Sequence, residues 1–421
     1  MSRNAVTQSF NGSAASSTGR RHTPLRVCHV AYSFYENDNR VIRYAESLAE
    51  DGHEVDVIAL RRPGQSVTGQ ARGIRVFRIQ RRAVTERTAW MYLLKNMWFF
   101  VKASALLTVL QLRKGYDIVH VHNVPDFLVF TAWLPKFAGS RIILDIHDIL
   151  PELYSGKFGT EEQSTVFKLM LGVERLSCKF ADHVIVANDL WHSKLVKRST
   201  SLEQCTAILN YPDLRIFKPL PQEKRRSDGK FIFLYPGTLN RHQGVDIAIK
   251  AFALAKNHMP NAELHIYGEG PAWPELWNLA HTEGLNGRVK LNARLPIAEI
   301  TEVMASADVG LVPKRADGFG NEAFSTKTLE FMACGVPVIV SRTRVDQHYF
   351  DDSVVRFFAP GSEVALAGTM QSVYEQRANH GPWIASARQL ALRLSWQERV
   401  GDYRNLIASL VDAPDCHTSA S

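Results

Sequence analysis

The sequence predicts an α/β protein with two doubly wound domains, each a parallel sheet covered by helices on both faces. Three observations carry this prediction. The 421 residues are too many for one ordinary domain. From Arg26 onward, short apolar runs alternate with helical patterns. The alternation stops between Tyr211 and Gly229, where three prolines lie among charged residues, as is typical of an interdomain linker.

The predicted elements follow from this alternation. In the first domain a strand at 26–32 leads into a helix at 40–50 and a second strand at 54–60, and further strands are expected at 75–79, 117–122, 141–145, 183–187 and 206–209. In the second domain strands are expected at 231–235, 263–267, 288–292, 308–312, 336–340 and 354–358, and a last helix at 397–410. We therefore divide the chain into a tail (1–23), a first domain (24–209), a linker (210–229), a second domain (230–390) and a C-terminal helix (391–412).

Composition restricts the class of partner. The formal net charge of +8 favours acidic partners such as phosphates or anionic lipid, and without a zinc-finger spacing or an RNP-like element nucleic acid is not expected. The five cysteines form no Cys-x-x-Cys pair, which is typical of reduced thiols in a cytoplasmic protein. Residues 1–23 lack the apolar core of a signal peptide and are expected to form a disordered tail.

The segment 318–341 predicts an anion site. Ser325 is a candidate N-cap of a helix at 326–333, which Gly335 and Pro337 end before a buried strand. The N–H groups and positive dipole at such a helix start attract a phosphate. Glu322 precedes the helix and Glu330 lies two turns into it, so a phosphate there has a carboxylate on either side. This arrangement suits a nucleotide sugar.

This Glu-x7-Glu element, followed by Met332, Ala333, Gly335, Val336 and Pro337, resembles the donor-site signature of the retaining family-4 glycosyltransferases. The resemblance implies the GT-B fold, in which two Rossmann-like domains face a cleft and a C-terminal helix crosses back to the first domain. It also implies a retaining, metal-independent transfer of a hexose-type sugar, without a cofactor. Glu330 would bind the ribose hydroxyls, and Glu322 would contact the transferred sugar near its anomeric carbon.

The first strand-to-helix turn of the second domain departs from the family pattern. After Gly237, Thr238 stands where the family has an arginine, and Gln243 stands where it has a lysine. A departing nucleoside diphosphate needs positive groups. The donor-binding candidates are therefore Gly237, Thr238, Arg241 and Gln243 in the turn and Ser325, Thr326 and Lys327 at the helix start, together with Glu330. Arg241 and Lys327 are the candidate replacement cations. The alternative that both cations point to solvent stays open.

The acceptor side is predicted at the end of the strand at 141–145. His147 lies where family members keep a histidine that contacts the donor sugar close to the acceptor, and Asp148 follows it. Asp145 is expected to orient its neighbours rather than to bind metal. Asp38 and Arg40 are interpreted as exposed polar residues at the same edge, and capping of the following helix by Asp38 or Asn39 is the favoured alternative to a role in the site.

A membrane-facing surface is predicted at 89–112, a run rich in Trp, Met, Leu, Phe and Val in which Lys102 disfavours spanning. Eight arginines upstream, facing only Glu86, would add attraction to an anionic leaflet: Arg61, Arg62, Arg72, Arg75, Arg78, Arg81, Arg82 and Arg87. The alternative is a core helix beside a solvated basic face. Docking implies a protein at the inner face of the plasma membrane and a lipid-linked saccharide acceptor, as in exopolysaccharide or lipopolysaccharide biosynthesis.

Two other functions stay open at this point. A nucleotide-sugar epimerase on the same fold would act without an acceptor. A non-catalytic scaffold for a polysaccharide complex is suggested by the missing cations at Thr238 and Gln243.

Overall fold

The computed structural model describes residues 23–82, 89–158, 164–224 and 226–412. Nearly all of the predicted N-terminal tail, together with Glu86, Arg87 and Cys416, lies outside these residues. Within them the chain forms two sheets, one of eight strands and one of six, which accounts for the two α/β halves.

The first sheet has the spatial order β3-β4-β2-β1-β5-β6-β7-β8. Its strands are β1 (Arg26–Ala31), β2 (Glu54–Arg61), β3 (Thr68–Ala71), β4 (Ile74–Arg81), β5 (Ile118–His122), β6 (Arg141–Ile146), β7 (His183–Val186) and β8 (Cys205–Ala207). Every pairing is parallel except that of β3 with β4. The sequence analysis missed β3, because the segment Thr-Gly-Gln-Ala has neither an apolar run nor an alternation.

The second sheet is parallel throughout, with the order β11-β10-β9-β12-β13-β14. Its strands are β9 (Phe231–Pro236), β10 (Ala262–Tyr267), β11 (Val289–Asn292), β12 (Val309–Val312), β13 (Val338–Ser341) and β14 (Arg356–Phe358). The strand order reverses next to β9 and β12. Ligands of open α/β sheets bind beyond the carboxyl ends of strands at such a reversal.

Helices cover both sheets. They are α1 (Asn39–Glu50), α2 (Ala89–Lys114), α3 (Trp133–Phe137), α4 (Leu150–Phe158), α5 (Thr165–Phe180), α6 (Asp189–Arg198), α7 (Val245–Ala255), α8 (Trp273–Thr282), α9 (Ile297–Ser306), α10 (Thr326–Ala333), α11 (Arg344–Tyr349), α12 (Glu363–Glu375), α13 (Gly381–Arg393) and α14 (Trp396–Asp412). Short 3₁₀ turns join several of them, including one at Asp126–Ala132.

The last helix, α14, returns to the first domain as predicted. Tyr403 in its middle is fully buried, its ring lies 4.3 Å from that of Tyr44 on α1, and its hydroxyl is 3.0 Å from Nδ1 of His120 on β5. At the far end of the helix, Arg141 donates to the carbonyl oxygen of Leu410. The first domain's core is therefore completed by a segment from the end of the chain.

Candidate active site

A cleft pocket of about 440 Å³ lies between the two domains. The first domain contributes the loop after β1, the start of α1, the end of β4 and the loop after β6, and the second domain contributes the loop after β11 and the start of α10. The lining residues are Tyr32, Ser33, Phe34, Asn37, Asp38, Asn39, Arg40, Arg43, Arg82, His147, Asn210, Arg294, Thr326 and Glu330. Predicted donor and acceptor residues thus meet in one cleft.

Helix α10 begins and ends where the sequence predicted, but its cap differs. Ser325 occupies the N-cap position, and its side chain accepts no hydrogen bond from the helix. Its hydroxyl is buried and has no hydrogen-bond partner within the described part of the chain. The Thr328 N–H donates to the Ser325 carbonyl oxygen at 3.4 Å, and the Ser325 hydroxyl is left for another acceptor. A hydroxyl at a helix N-terminus, beside N–H groups that lack an intrahelical partner, is the chemistry of an anion site.

Lys327 lies over the mouth of the second sheet. Its ammonium is 5.4 Å from the ring centre of Tyr235, and its side chain fills the space that a Cβ on Gly237 would need, with Cε 2.3 Å from that position. Burial lowers the pKa of Lys327 to about 8, although Glu330 nearby acts in the opposite direction. A lysine held this way gains charge when an anion arrives, because the anion restores its pKa.

Glu330 lies on the next turn of α10 and lines the cleft. Burial raises the pKa of its carboxyl group, while Lys327, the Thr326 hydroxyl and Arg43 act to lower that pKa. The carboxylate is thus balanced by one cation from each domain. Its two oxygens can accept from vicinal hydroxyls.

Glycines let the loops at the mouth of the second sheet approach each other. Gly237 has a φ of +146°, which a residue with a side chain rarely adopts. A Cβ on Gly268, in the loop after β10, would lie 1.8 Å from the carbonyl oxygen of Gly237. The Gly268–Gly270 turn therefore packs against the loop after β9, residues 237–244, which we call the donor loop.

Three other predicted residues of the donor loop, Thr238, Arg241 and Gln243, are not among the described residues that line the cleft pocket. Thr238 is exposed, and its carbonyl oxygen accepts from the Tyr235 hydroxyl at 2.8 Å. Gln243 points inward and bonds to the same hydroxyl and to His242. Arg241 lines a separate pocket of about 310 Å³, together with Lys250 and Glu275. Of the two predicted replacement cations, Lys327 lies beside the donor loop and Glu330, whereas Arg241 lines another cavity.

Glu322 is buried at the domain boundary. Its carboxylate pairs with Lys194 of α6 at 2.6 Å and with Arg344 of α11 at 3.1 Å, and its carbonyl oxygen accepts from Asn188. It does not line the cleft pocket formed by the described residues. Glu322 thus forms part of a polar bridge between the two domains. Its contact with the transferred sugar stays a prediction.

On the acceptor side, the structure decides the role of Asp38 and corrects the interpretation of Arg40. Asp38 is the N-cap of α1, and its Oδ1 accepts from the Val41 N–H at 3.2 Å, so the capping alternative is correct. Arg40 was read as exposed and is instead 3% exposed, held by the carboxylate of Asp145. The reading was wrong because the residue that pairs with Arg40 lies 105 positions away in the sequence. Asp148 is half-buried, and burial raises its pKa.

His147 is bound to a buried polar cluster. Its Nε2 lies 2.8 Å from Oδ2 of Asp145, and the same oxygen is 3.0 Å from Nδ1 of His122. Burial alone would raise the pKa of Asp145, yet Arg40 and the two histidines hold that pKa well below its usual range. The Asp145 carboxylate thus contacts Arg40, His122 and His147, and its orienting role stays a prediction.

Two overlapping groups in this cluster have donor atoms close enough to share a metal ion: His29, His120 and His122, and His122, Asp145 and His147. Arg40 bears on whether an ion fits. Its guanidinium already neutralises Asp145 at 2.7 Å, so a divalent ion would lie close to a second buried cation. Charge balance therefore favours a hydrogen-bonded cluster.

Three cations line the cleft that the sequence analysis did not assign to it: Arg43, Arg294 and Arg82, the last of which was assigned to the membrane-facing segment. Arg43 of α1 is buried, donates to Asn210 and to the carbonyl oxygen of Tyr211, and has a pKa lowered to about 10 by burial and by Arg40. Arg82 lies against the rings of Tyr32 and Tyr92. Arg294 pairs with Glu269 at 3.1 Å. No local motif marks them, because each reaches the cleft only through the fold.

The predicted membrane helix is α2, one face of which packs on the first sheet through Phe99, Ala103 and Leu107. By length and composition alone, the segment Met91–Lys114 is long and apolar enough to cross a membrane, and only 28% of its most apolar stretch is buried within the described part of the protein. The opposite face is apolar and exposed, and carries Met91, Leu94, Trp98, Val101, Val109 and Leu112. The alternative of a core helix therefore explains the face of α2 that packs on the sheet and leaves the exposed apolar face unexplained.

The arginines before α2 are less free than the sequence suggested. Arg72 pairs with Glu46, Arg75 with Asp56, and Arg78 with Glu36. These acids lie outside the arginine-rich segment, so a count restricted to that segment overstates its excess charge.

Comparison with known families agrees with the cleft. Residues 217–390 match the family of "Glycosyl transferases group 1", and residues 38–210 match the "Glycosyl transferase 4-like domain". The chain belongs to the family-4 glycosyltransferases with the GT-B fold. It is thus a glycosyltransferase, as the donor-site signature predicted.

Two curated relatives illustrate the sequence similarity. The chain is 27% identical over 195 residues to a D-inositol 3-phosphate glycosyltransferase of an Arthrobacter species, covering 44% of this chain and 45% of that protein. It is 39% identical over 192 residues to an exopolysaccharide phosphotransferase of Streptomyces coelicolor, covering 44% of this chain and 19% of that protein. The matches span less than half the length of these two relatives.

Solved structures share the fold. Sucrose-phosphate synthase from Thermosynechococcus elongatus superposes with a TM-score of 0.76 at 20% identity, over 91% of this chain and 100% of that chain. Anabaena HepE in complex with UDP superposes with a TM-score of 0.68 at 17% identity, over 91% and 100%. At these identities the likeness concerns the fold.

Proposed function

We propose that this glycosyltransferase moves a hexose-type sugar from a nucleotide sugar to a hydroxyl group of a lipid-linked saccharide. The transfer retains the anomeric configuration and needs no metal or cofactor. One observation carries the proposal: the start of α10, through Thr326 and Glu330, lines the same interdomain cleft as His147, and Lys327 follows Thr326 on that helix.

The donor fits this cleft in a defined order. The diphosphate lies at the start of α10, where free N–H groups, the Ser325 hydroxyl and Lys327 meet it. The ribose hydroxyls bind Glu330. Since the leaving diphosphate gains negative charge in the transition state, Lys327 supplies the positive charge that Thr238 and Gln243 lack.

Retention is proposed as a front-face displacement. The acceptor hydroxyl arrives on the side from which the phosphate leaves, and a phosphate oxygen takes its proton. Among the described lining residues, the acidic ones are Asp38 and Glu330. Asp38 caps α1 and Glu330 is assigned to the ribose, so neither is placed as a nucleophile.

The acceptor is assigned from the exposed face of α2. Helix α2 belongs to the first domain, which carries the predicted acceptor side. Its exposed apolar face suits an enzyme that works on a lipid-anchored saccharide at the inner surface of the plasma membrane. The name of the Streptomyces relative, an exopolysaccharide phosphotransferase, supports a place in surface-polysaccharide biosynthesis.

The test is a screen of nucleotide sugars against saccharide acceptors, with the anomeric configuration of the product read by NMR. We expect transfer with retention and no loss of rate in EDTA. Inversion, or a requirement for metal, would overturn those parts of the proposal. Turnover of the donor to free sugar or an epimer without an acceptor would favour the epimerase, and no turnover with any donor would favour the scaffold.

A further inference from the structure

The buried cluster behind His147 has a consistent direction of hydrogen bonding. Asp145 is ionised beside Arg40, and an ionised carboxylate only accepts hydrogen bonds. The ring nitrogens that face it, Nε2 of His147 and Nδ1 of His122, must therefore carry protons and donate. Each of these two rings is fixed in one tautomer as long as it is neutral.

The series of hydrogen bonds continues from His122 to a third histidine, His29. Because His122 donates through Nδ1, its Nε2 is an acceptor, and Nδ1 of His29 lies 3.0 Å from it. His29 is fully buried, and its remaining nitrogen has no partner among the described residues. Burial lowers the pKa of both His29 and His122, so both rings are neutral. The charges of the cluster then cancel between Arg40 and Asp145.

We propose that Asp145 is the positioning residue of His147: its buried carboxylate, neutralised by Arg40, holds the Nε2 proton and leaves the unprotonated Nδ1 to accept a hydrogen bond from a substrate hydroxyl in the cleft. The backbone N–H of His147, held by Asn123 at 2.7 Å, fixes the other end of the residue. Buried His122 contacts the same oxygen through Nδ1 at 3.0 Å. Only the identity of the substrate hydroxyl rests on the proposed function; the tautomer of His147 does not depend on it.

The tautomer is measured first, on the free protein labelled with ¹⁵N-histidine, so this arm does not depend on any donor. His147→Asn identifies the His147 signals. We expect a proton on Nε2 and a bare Nδ1 in the wild type. We expect this preference to weaken in Asp145→Asn, since an amide can donate as well as accept. A wild-type His147 protonated on Nδ1, or an unchanged tautomer in Asp145→Asn, overturns the proposal.

The second measurement is a double-mutant cycle on kcat and KM, using whichever donor turns over in the screen. Asp145→Asn is expected to lower kcat by about 100-fold or more with little change in KM, since wrong-tautomer substitutions behave in this way. In a His147→Asn background the same substitution should have almost no further effect. An additive result would mean that Asp145 does not act through His147.

A matched control separates positioning from folding. Asp56 is also a buried aspartate of this sheet, held by Arg75, Lys114 and Tyr116 away from the cleft lining. Asp56→Asn should lower the melting temperature by an amount similar to Asp145→Asn and leave kcat within about twofold. Equal losses of kcat in both variants would assign Asp145 a purely structural role. If no donor turns over, the proposed function fails, while the tautomer result still decides this proposal.

Discussion

At the scale of single residues, the proposed donor site depends on Lys327, which would supply the positive charge that Thr238 and Gln243 lack. Lys327→Met should weaken UDP, ADP or GDP binding by about 10- to 100-fold, because a hydrogen bond to a charged group contributes about 1.5–3 kcal/mol. Calorimetry measures the change. Arg241→Met is the matched control and should bind normally, since Arg241 lines a different pocket. Equal losses in both variants would contradict the assignment.

The same lysine predicts a pH dependence. Its pKa of about 8 in the free protein lies below its usual value, and a bound diphosphate raises it. Affinity should therefore be constant well below pH 8 and fall as the pH rises through 8 towards 10, because the free protein loses the proton that binding must restore. Lys327→Met should lack this part of the pH profile. A wild-type affinity that is constant from pH 7 to 10 would contradict the prediction.

The proposed contact of Glu330 with the ribose hydroxyls predicts that the protein binds a ribonucleotide more tightly than its 2′-deoxy analogue. Glu330→Gln should weaken UDP binding by about tenfold, because an amide cannot accept from two vicinal hydroxyls with both terminal atoms. The 2′-deoxy analogue should bind wild type and variant with similar, weaker affinity. Competition binding with the two nucleotides measures this, and an equal loss for both would remove the ribose contact from Glu330.

At the scale of elements, the return of α14 predicts a stability effect in the first domain. Tyr403→Ala should lower the free energy of unfolding by about 3–5 kcal/mol, because a fully buried ring is lost between Tyr44 and Trp396. Tyr403→Phe should cost about 1 kcal/mol, the hydrogen bond to His120 alone. Urea unfolding followed by circular dichroism distinguishes them, and equal costs would argue against packing by α14.

At the scale of the whole molecule, the exposed face of α2 predicts membrane contact. Trp98→Ser combined with Val101→Ser should reduce co-sedimentation with anionic phosphatidylglycerol vesicles several-fold, because both side chains are more than half exposed. Trp277→Ser, at an equally exposed tryptophan of the second domain, is the control. Sedimentation unaffected by either change would contradict docking through α2. Concentration-dependent dimerisation that the double variant abolishes would instead assign this face to a second copy of the chain.

How far the sequence could predict this molecule depends on the distance over which each feature is determined. Helix α10 was predicted to the residue, because Gly335 and Pro337 end it locally, although the predicted side-chain cap by Ser325 is not formed. The burial of Arg40 and the pairing of Arg78 with Glu36 were not predictable, because each partner reaches its place only after the sheet has formed. The strand β3 was missed because its antiparallel pairing to β4, rather than an apolar pattern, defines it.

The most direct test of the account is a crystal structure of the protein soaked with UDP, ADP or GDP. We predict diphosphate density at the start of α10 against Lys327, with the ribose hydroxyls on Glu330. Density in the pocket lined by Arg241 and Lys250, or anywhere else away from α10, would contradict the central claim.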